Sequence, residues 1–122
     1  MIYVIEDDEI MADCIAGYCG NKTKIFHNAI DAIQSLDDGL PDLIFLDVLL
    51  SGPDGFTFLN ELASYPDTLN IPVVIITSLN MSNLDLSNYN VVGILNKDTM
   101  VPKEVKDYVK RYSHDCNSIA SH

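Results

Sequence analysis

Carboxylates follow two of the most apolar runs of the chain, at the point where each run ends. Glu6, Asp7 and Asp8 come directly after the first run, and Asp47 comes directly after a later one. If Glu6, Asp7 and Asp47 converge, they repel one another, and their pKa values rise unless a cation neutralises them. Mg²⁺ prefers such oxygen ligands, and an aspartate can act as a nucleophile toward a phosphoryl group. These acids therefore indicate metal-assisted phosphoryl chemistry.

A hydroxyl group and an ammonium group end two further apolar runs. Thr77 closes one of them, and Lys97 follows the next. No Lys or Arg occurs from Ile25 to Asn96, so Lys97 is an isolated cation after a long acidic stretch. Phosphoryl transfer needs positive charge and hydrogen-bond donors on the equatorial oxygens. Lys97 and Thr77 could supply both.

Each of these residues also has an ordinary structural explanation. The acids at 6–8 could cap a helix and interact favourably with its dipole; this is the role we expect for Asp8. Thr77 could be a β-branched strand residue, and Asp47 and Lys97 could be solvated charges at strand ends. It is the combination of these residues at one place that favours a role in phosphoryl chemistry.

The chain alternates between short apolar runs and amphipathic stretches, which is typical of a parallel α/β sheet with helices on both faces. Strands are predicted over 2–5, 24–26, 43–46, 72–76 and 91–95, and helices over 9–18, 28–38, 56–64 and 102–112. In such folds ligands bind at the carboxyl ends of the strands. The four polar strand ends are therefore expected at one edge.

Some parts of this pattern are weaker. The periodicity includes Ile10 among the apolar positions of the first helix and places Ile30 on the inner face of the second. The asparagine-rich segment 79–90 predicts at most a short helix, because asparagine side chains compete for backbone hydrogen bonds.

Length and charge narrow the class of protein. The chain has 122 residues, 48% of them hydrophobic, and a formal net charge of −11. A chain of this length forms one domain and buries a core without disulfides. We expect that domain over 1–113, standing alone, and a tail over 114–122. The acidic surface repels phosphate backbones and anionic lipid, which argues strongly against binding to nucleic acid or membrane.

Cysteine usage and hydropathy indicate the compartment. Cys14, Cys19 and Cys116 match neither a disulfide framework nor a zinc signature, so reduced thiols are expected. The sequence shows no signal peptide and no apolar run long enough to span a bilayer. A cytoplasmic protein is expected.

Along nearly its whole length the sequence resembles the receiver domain of two-component response regulators. The run 4–8 resembles the acidic cluster after that family's first strand, and 41–47 resembles the strand that bears its phosphoacceptor aspartate. Asp54 and Gly55 fall at the family's Asp-Gly pair, Thr77 at its hydroxyl residue and Lys97 at its lysine. The resemblance implies a flavodoxin-like, doubly wound sheet of five parallel strands in the order 2-1-3-4-5.

The resemblance also implies roles for these positions. Asp47 would accept a phosphoryl group from the phosphohistidine of a sensor histidine kinase or histidine phosphotransfer protein. Asp7 and Asp47 would bind Mg²⁺ directly, Glu6 through water, and Leu49 through its backbone carbonyl.

In the same family pattern Thr77 and Lys97 would hold the phosphoryl oxygens. Such a domain catalyses only its own phosphoryl transfer and dephosphorylation, and it signals to a downstream protein by conformational change. On this basis the chain is not expected to be an enzyme.

The sequence departs from the family pattern at three positions near this site. Ser51 stands where the family usually has proline. Asp98 follows the lysine, where the family usually has proline after a cis peptide. A cis bond to a non-proline residue costs about 3–4 kcal/mol, so this loop is either trans and rearranged or strained. Ile94 stands at the family's aromatic switch position, which argues against signalling by an aromatic ring that swings inward.

Two hypotheses address these departures. Reordering of the segment 82–90 would convey the output in place of a rotamer switch. Leu49 lies two residues after Asp47, and Leu79 two residues after Thr77. Because apolar side chains at these positions cannot orient an attacking water, slow self-dephosphorylation is predicted. The sequence leaves open whether the chain forms a homodimer and whether Tyr108 and Tyr112 are core or interface residues.

Two other classes of protein compete with a working receiver. A degenerate receiver would act as a phosphorylation-independent protein-interaction module. Metal binding would distinguish a working receiver from such a module. A phosphatase of the haloacid dehalogenase type would need a second aspartate two residues after its nucleophile, where Leu49 stands. The sequence therefore disfavours the phosphatase.

Overall fold

A computed structural model describes residues 1–20, 22–47, 54–78 and 86–112. The strands are β1 (Ile2–Ile5), β2 (Thr23–Phe26), β3 (Leu43–Asp47), β4 (Val73–Thr77) and β5 (Val91–Asn96). The helices are α1 (Glu9–Cys19), α2 (Ala29–Ser35), α3 (Asp54–Ala63), α4 (Pro66–Leu69) and α5 (Pro102–Tyr112), and a 3₁₀ turn (Leu36–Asp38) follows α2.

The strands form one parallel sheet in the order β2-β1-β3-β4-β5, which confirms the predicted fold class. Parallel strands need crossover connections, and helices supply most of them here. The order reverses beside β1, so β1 and β3 flank the switch point at which doubly wound sheets bind ligands. No helix within the described ranges is long and apolar enough to cross a membrane.

The core lies on both faces of the sheet, because consecutive strand residues point to opposite sides. On one face Tyr3 and Ile5 of β1 pack with Phe58 and Leu59 of α3. On the other face, Ile2 and Val4 belong to a second cluster with residues of α1 and α5. All residues of β1, β3 and β4 are buried, so their ends are held firmly in place.

Two predicted core positions on the helices are wrong. Ile10 is 78% exposed and Ile30 is 63% exposed. Ala12 and Ala32 are buried in their place, and Ala29 is buried as well, which allows α1 and α2 to lie close against the sheet. A pattern read from hydrophobicity alone gives too much weight to large apolar residues and too little to alanine.

The connection between β3 and β4 holds a helix that the sequence analysis did not identify. α4 has Pro66 at its first turn, a position where proline fits because its missing N–H needs no partner. In the asparagine-rich connection after β4, residues 87–90 form a turn, while 79–85 lie outside the described residues.

The tyrosines of α5 lie against the edge strand β5. Tyr108 and Tyr112 are partly buried against the core, and their stacked rings have centroids 6.5 Å apart. A Cβ atom on Gly93 would overlap the Tyr108 hydroxyl, so Gly93 is what allows this ring to lie across β5. The two tyrosines therefore contribute to the core, which is one of the two roles that the sequence left open for them.

Two glycine substitutions test this packing. Gly93→Ala is expected to lower the free energy of unfolding by about 1–3 kcal/mol, because the Tyr108 ring must leave its position. Gly17→Ala is the matched control, since Gly17 lies within α1 and a Cβ atom there would meet no atom within 4 Å. It is expected to raise stability by about 0.5–1 kcal/mol. Urea unfolding measures both, and a Gly93→Ala variant as stable as the parent contradicts the packing.

Candidate functional site

Four strand ends bring the predicted residues to one edge of the sheet. In the strand register Asp47 lies opposite Ile76, and Thr77 lies opposite Asn96. The Lys97 amide donates a hydrogen bond to the Thr77 carbonyl oxygen at 3.0 Å, which extends this pairing by one residue. Asp47, Thr77 and Lys97 therefore stand on three adjacent strand ends.

Three carboxylates converge at this edge. One oxygen each of Glu6, Asp7 and Asp47 lies within 4.8 Å of the others. Glu6 and Asp47 are buried and Asp7 is exposed, so the group is closed on the protein side and open to solvent at Asp7. Burial close together raises the energy of the ionised carboxylates, and a cation offsets that cost.

Lys97 supplies a cation for this group. Its Nζ atom lies 2.5 Å from Glu6 Oε1 and 2.8 Å from Asp47 Oδ2. Burial alone lowers the pKa of Lys97, but the hydrogen bonds and attraction from Asp47 and Glu6 outweigh burial and raise it. The side chain is 19% exposed and stays charged, so it holds the two buried carboxylates together.

The pKa of Glu6 is shifted strongly by its surroundings. Burial, followed by its contact with Asp47, raises its pKa from an ordinary 4.5 to about 7, although Lys97 acts in the opposite direction. Its Oε2 atom is buried and accepts no hydrogen bond within the described part of the chain. An orphaned carboxylate oxygen is costly, and a hydrated cation beside it would provide the missing partner.

The donor set fits a hard divalent cation. Three carboxylates offer oxygen ligands, and Mg²⁺ binds through one or two of these while keeping several waters. Asp7 and Asp47 can hold such an ion directly, and Glu6 Oε2 can accept a hydrogen bond from one of its waters. Leu49, the remaining predicted ligand, lies outside the described residues.

Asp8 has the structural role that was expected of it. It is the N-cap of α1, and its Oδ1 accepts hydrogen bonds from the amides of Ile10 and Met11 at 3.0 and 3.3 Å. Capping satisfies amide groups that have no partner within the helix. The acidic run is therefore divided between the site and the start of α1.

His27 is a residue of this edge that the sequence analysis missed. Its Nδ1 lies 2.9 Å from the Glu6 carbonyl oxygen, and the Glu6 amide donates to the Phe26 carbonyl at 2.9 Å. Because a carbonyl oxygen only accepts, Nδ1 must carry the hydrogen. The position of His27 directly after β2 was the available signal, and its effect is to fix the backbone of Glu6.

The loop after Lys97 has trans geometry. The described residues contain no cis peptide bond, so the Lys97–Asp98 bond is trans and the loop is rearranged. Asn96 organises it, since its Oδ1 accepts from the Asp98 amide at 2.7 Å and its carbonyl accepts from the Met100 amide at 2.8 Å. Ile94, at the predicted switch position, is 45% exposed. Ser51 and Leu79 lie outside the described residues.

The described residues form a doubly wound parallel sheet with an acidic trio and a lysine at its carboxyl edge. Comparison with known proteins identifies the family. The family model for the response regulator receiver domain matches residues 2–110, and the chain belongs to that family.

Named relatives agree with this assignment. The chain is 29% identical over 99 residues to protein Rrf1 of Nitratidesulfovibrio vulgaris, covering 80% of this chain and 70% of Rrf1. It is 55% identical over 40 residues to the response regulator PleD of Caulobacter vibrioides, covering 33% of this chain. That match spans only 9% of the length of PleD.

Solved structures show the same fold. The receiver domain of NtrX from Brucella abortus has a TM-score of 0.79 at 24% identity, with 93% of this chain and 98% of that chain covered. The receiver domain of the sensor histidine kinase PA1611 from Pseudomonas aeruginosa has a TM-score of 0.74 at 20% identity, with 91% and 94% covered. That PA1611 structure has a magnesium ion coordinated in its active-site cleft.

The pH dependence of stability tests the environment of Glu6. Without divalent ions, the free energy of unfolding is expected to fall as pH rises from 4.5 to about 7, because folded Glu6 keeps a proton that the unfolded chain has lost. Urea unfolding in EDTA across this range measures the slope. Glu6→Gln is expected to flatten it, whereas the exposed control Glu9→Gln keeps it. An equal slope in parent and Glu6→Gln contradicts the assignment.

Replacing Lys97 tests whether its ammonium group neutralises the buried carboxylates of Glu6 and Asp47. Lys97→Met leaves Glu6 and Asp47 buried without their cation, and the expected loss of stability in EDTA at neutral pH is about 3–5 kcal/mol. Lys103→Met is the matched control, because Lys103 is 85% exposed in a 4.0 Å pair with Asp107. Exposed pairs contribute about 0–1 kcal/mol. Similar losses in both variants would show that Lys97 does not neutralise a buried pair.

Proposed function

We propose that this chain is a phosphorylatable receiver that accepts a phosphoryl group on Asp47 from a partner's phosphohistidine, with Mg²⁺ as cofactor. The observation that carries the proposal is the pairing of Asp47 with Lys97 inside a trio of carboxylates. Receiver domains act with histidine kinases or phosphotransfer proteins, and partners of this kind are proposed here. Beyond this transfer and the hydrolysis of the resulting acyl phosphate to inorganic phosphate, no other catalysed reaction is proposed.

The transfer is a nucleophilic substitution at the phosphorus atom of the phosphohistidine. A carboxylate oxygen of Asp47 forms a bond to phosphorus, and the phosphorus–nitrogen bond of the phosphohistidine breaks. Its electron pair returns to the imidazole of the partner, and an acyl phosphate remains on Asp47. Mg²⁺, when bound by Asp7 and Asp47, supplies positive charge to the phosphoryl oxygens.

Two further residues are suited to the transferred group. The Lys97 ammonium, 2.8 Å from Asp47 Oδ2, would be close to a phosphoryl group formed on Asp47. The buried Thr77 ends the strand adjacent to β3, and its hydroxyl can donate to a phosphoryl oxygen. Thr77 ends the buried strand β4, and the Lys97 amide is hydrogen-bonded to the Thr77 carbonyl oxygen, which limits the reorganisation needed during transfer.

Intact mass after incubation with acetyl phosphate and Mg²⁺ tests the proposal. The parent is expected to gain one phosphoryl group, and Asp47→Ala is expected to gain none. The control Asp13→Ala changes an exposed acid on α1 and is expected to behave as the parent. Thr77→Ala is expected to react about tenfold or more slowly, since it removes a donor to the developing charge.

The same experiment decides between this proposal and an interaction module that works without phosphorylation. The exposed Ile94 on the edge strand β5, at the switch position, is the observation that favours the module. If the parent gains no phosphoryl group and Mg²⁺ titration gives no binding, the receiver proposal fails and the module takes its place.

A further inference from the structure

A cleft lies on the side of the molecule formed by α2, its 3₁₀ turn, α3 and α4. Its volume is about 450 Å³, and its walls include Leu36, Leu40 and Tyr65 together with Asp37, Glu61 and Asp67. Each helix that follows a parallel strand runs back along the sheet, so α2 and α3 both end at the edge away from Asp47. The cleft is therefore separate from the acidic site.

The cleft is negative, and none of the described residues that line it carries a positive charge. Asp37, Glu61 and Asp67 belong to its walls. The last turns of α2, α3 and α4 contain no basic residue, although helix C-termini attract positive charge. No Lys or Arg lies between residues 25 and 96, so the helices that form the cleft contribute no basic side chain to it.

The same cleft has an apolar component that faces solvent. Tyr65 is 54% exposed and Leu40 is 45% exposed. Ile30, 63% exposed, lies one turn before the cleft residues of α2. These residues form a solvent-facing apolar surface beside carboxylates, a combination that suits a partner with both apolar and cationic side chains.

The spacing of the acids argues against a metal ion as the occupant. Within the described residues, only Glu6, Asp7 and Asp47 bring acidic ligand atoms close enough together to hold one. The acids that line the cleft form no such group, and an aromatic side chain lines the cleft with them. A guanidinium group matches this arrangement, because it binds carboxylates through a planar fork and stacks on aromatic faces.

We propose that this cleft is a docking surface for a basic, amphipathic segment of a partner protein, with an arginine among Asp37, Glu61 and Asp67 and an apolar side chain on Tyr65 and Leu40. Charge complementarity carries the proposal, since this negative and partly apolar surface has no cation of its own. Binding here leaves the Asp47 edge accessible, so the proposal is independent of phosphorylation.

Nuclear magnetic resonance titration of the labelled full chain tests this surface. The probe is a synthetic peptide of alternating leucine and arginine residues, compared with the same peptide carrying neutral citrulline in place of arginine. EDTA is present and phosphoryl donors are absent, so the outcome does not depend on the proposed function. The arginine peptide is expected to shift the amide signals of 33–40 and 61–68, and the citrulline peptide to bind more weakly.

Charge variants locate the interaction. Asp37→Asn with Glu61→Gln is expected to weaken binding about threefold to tenfold, the loss expected for two surface ion pairs. Asp13→Asn with Glu104→Gln makes the same change in net charge away from the cleft and is expected to preserve the affinity. Equal weakening in both double variants, equal binding of both peptides, or shifts centred on residues 6–8 and 47 would each overturn the proposal.

Discussion

The bridge from Lys97 to Glu6 and Asp47 is the interaction on which the acidic edge depends. Parallel strands bring their carboxyl ends to one side, so residues far apart in sequence are forced into proximity. Here that topology places two buried carboxylates beside each other. The Lys97 Nζ atom, 2.5 Å from Glu6 Oε1 and 2.8 Å from Asp47 Oδ2, offsets their repulsion and the cost of burying them. The position of Lys97 is in turn fixed by its backbone hydrogen bond to Thr77.

A proton, the Lys97 ammonium and a divalent ion could each compensate the negative charge of the same carboxylates at this edge. When all three acids are ionised, one ammonium leaves two negative charges without compensation, which is the charge of one Mg²⁺. Without an ion, a proton on Glu6, whose pKa rises to about 7, reduces the uncompensated negative charge. A divalent ion would displace that proton, so ion binding and protonation oppose each other at Glu6.

The sequence predicted best those features that depend on local pattern. The bounds of β1 and α5 agree residue for residue, because each has a strong apolar period and a clear start. Asp47 and Thr77 could be located because each ends a buried run. The carbonyl contact of His27 and the exposure of Ile30 could not be predicted, since both depend on how distant elements approach one another. The pairing of Lys97 with Glu6 also required the strand order, which the family resemblance supplied and periodicity alone did not.

The same uneven charge distribution has opposite consequences at the two edges of the sheet. A long stretch without lysine or arginine gives both edges an excess of carboxylates. At the carboxyl edge, β5 brings Lys97 beside β4 and β3, and the acids there are partly neutralised from within the chain. At the other edge the basic residues of α5 are separated from Asp37, Glu61 and Asp67 by the sheet, because α5 and α3 pack on opposite faces. The described residues that line the cleft include no basic side chain, so solvent cations or a partner would neutralise these acids.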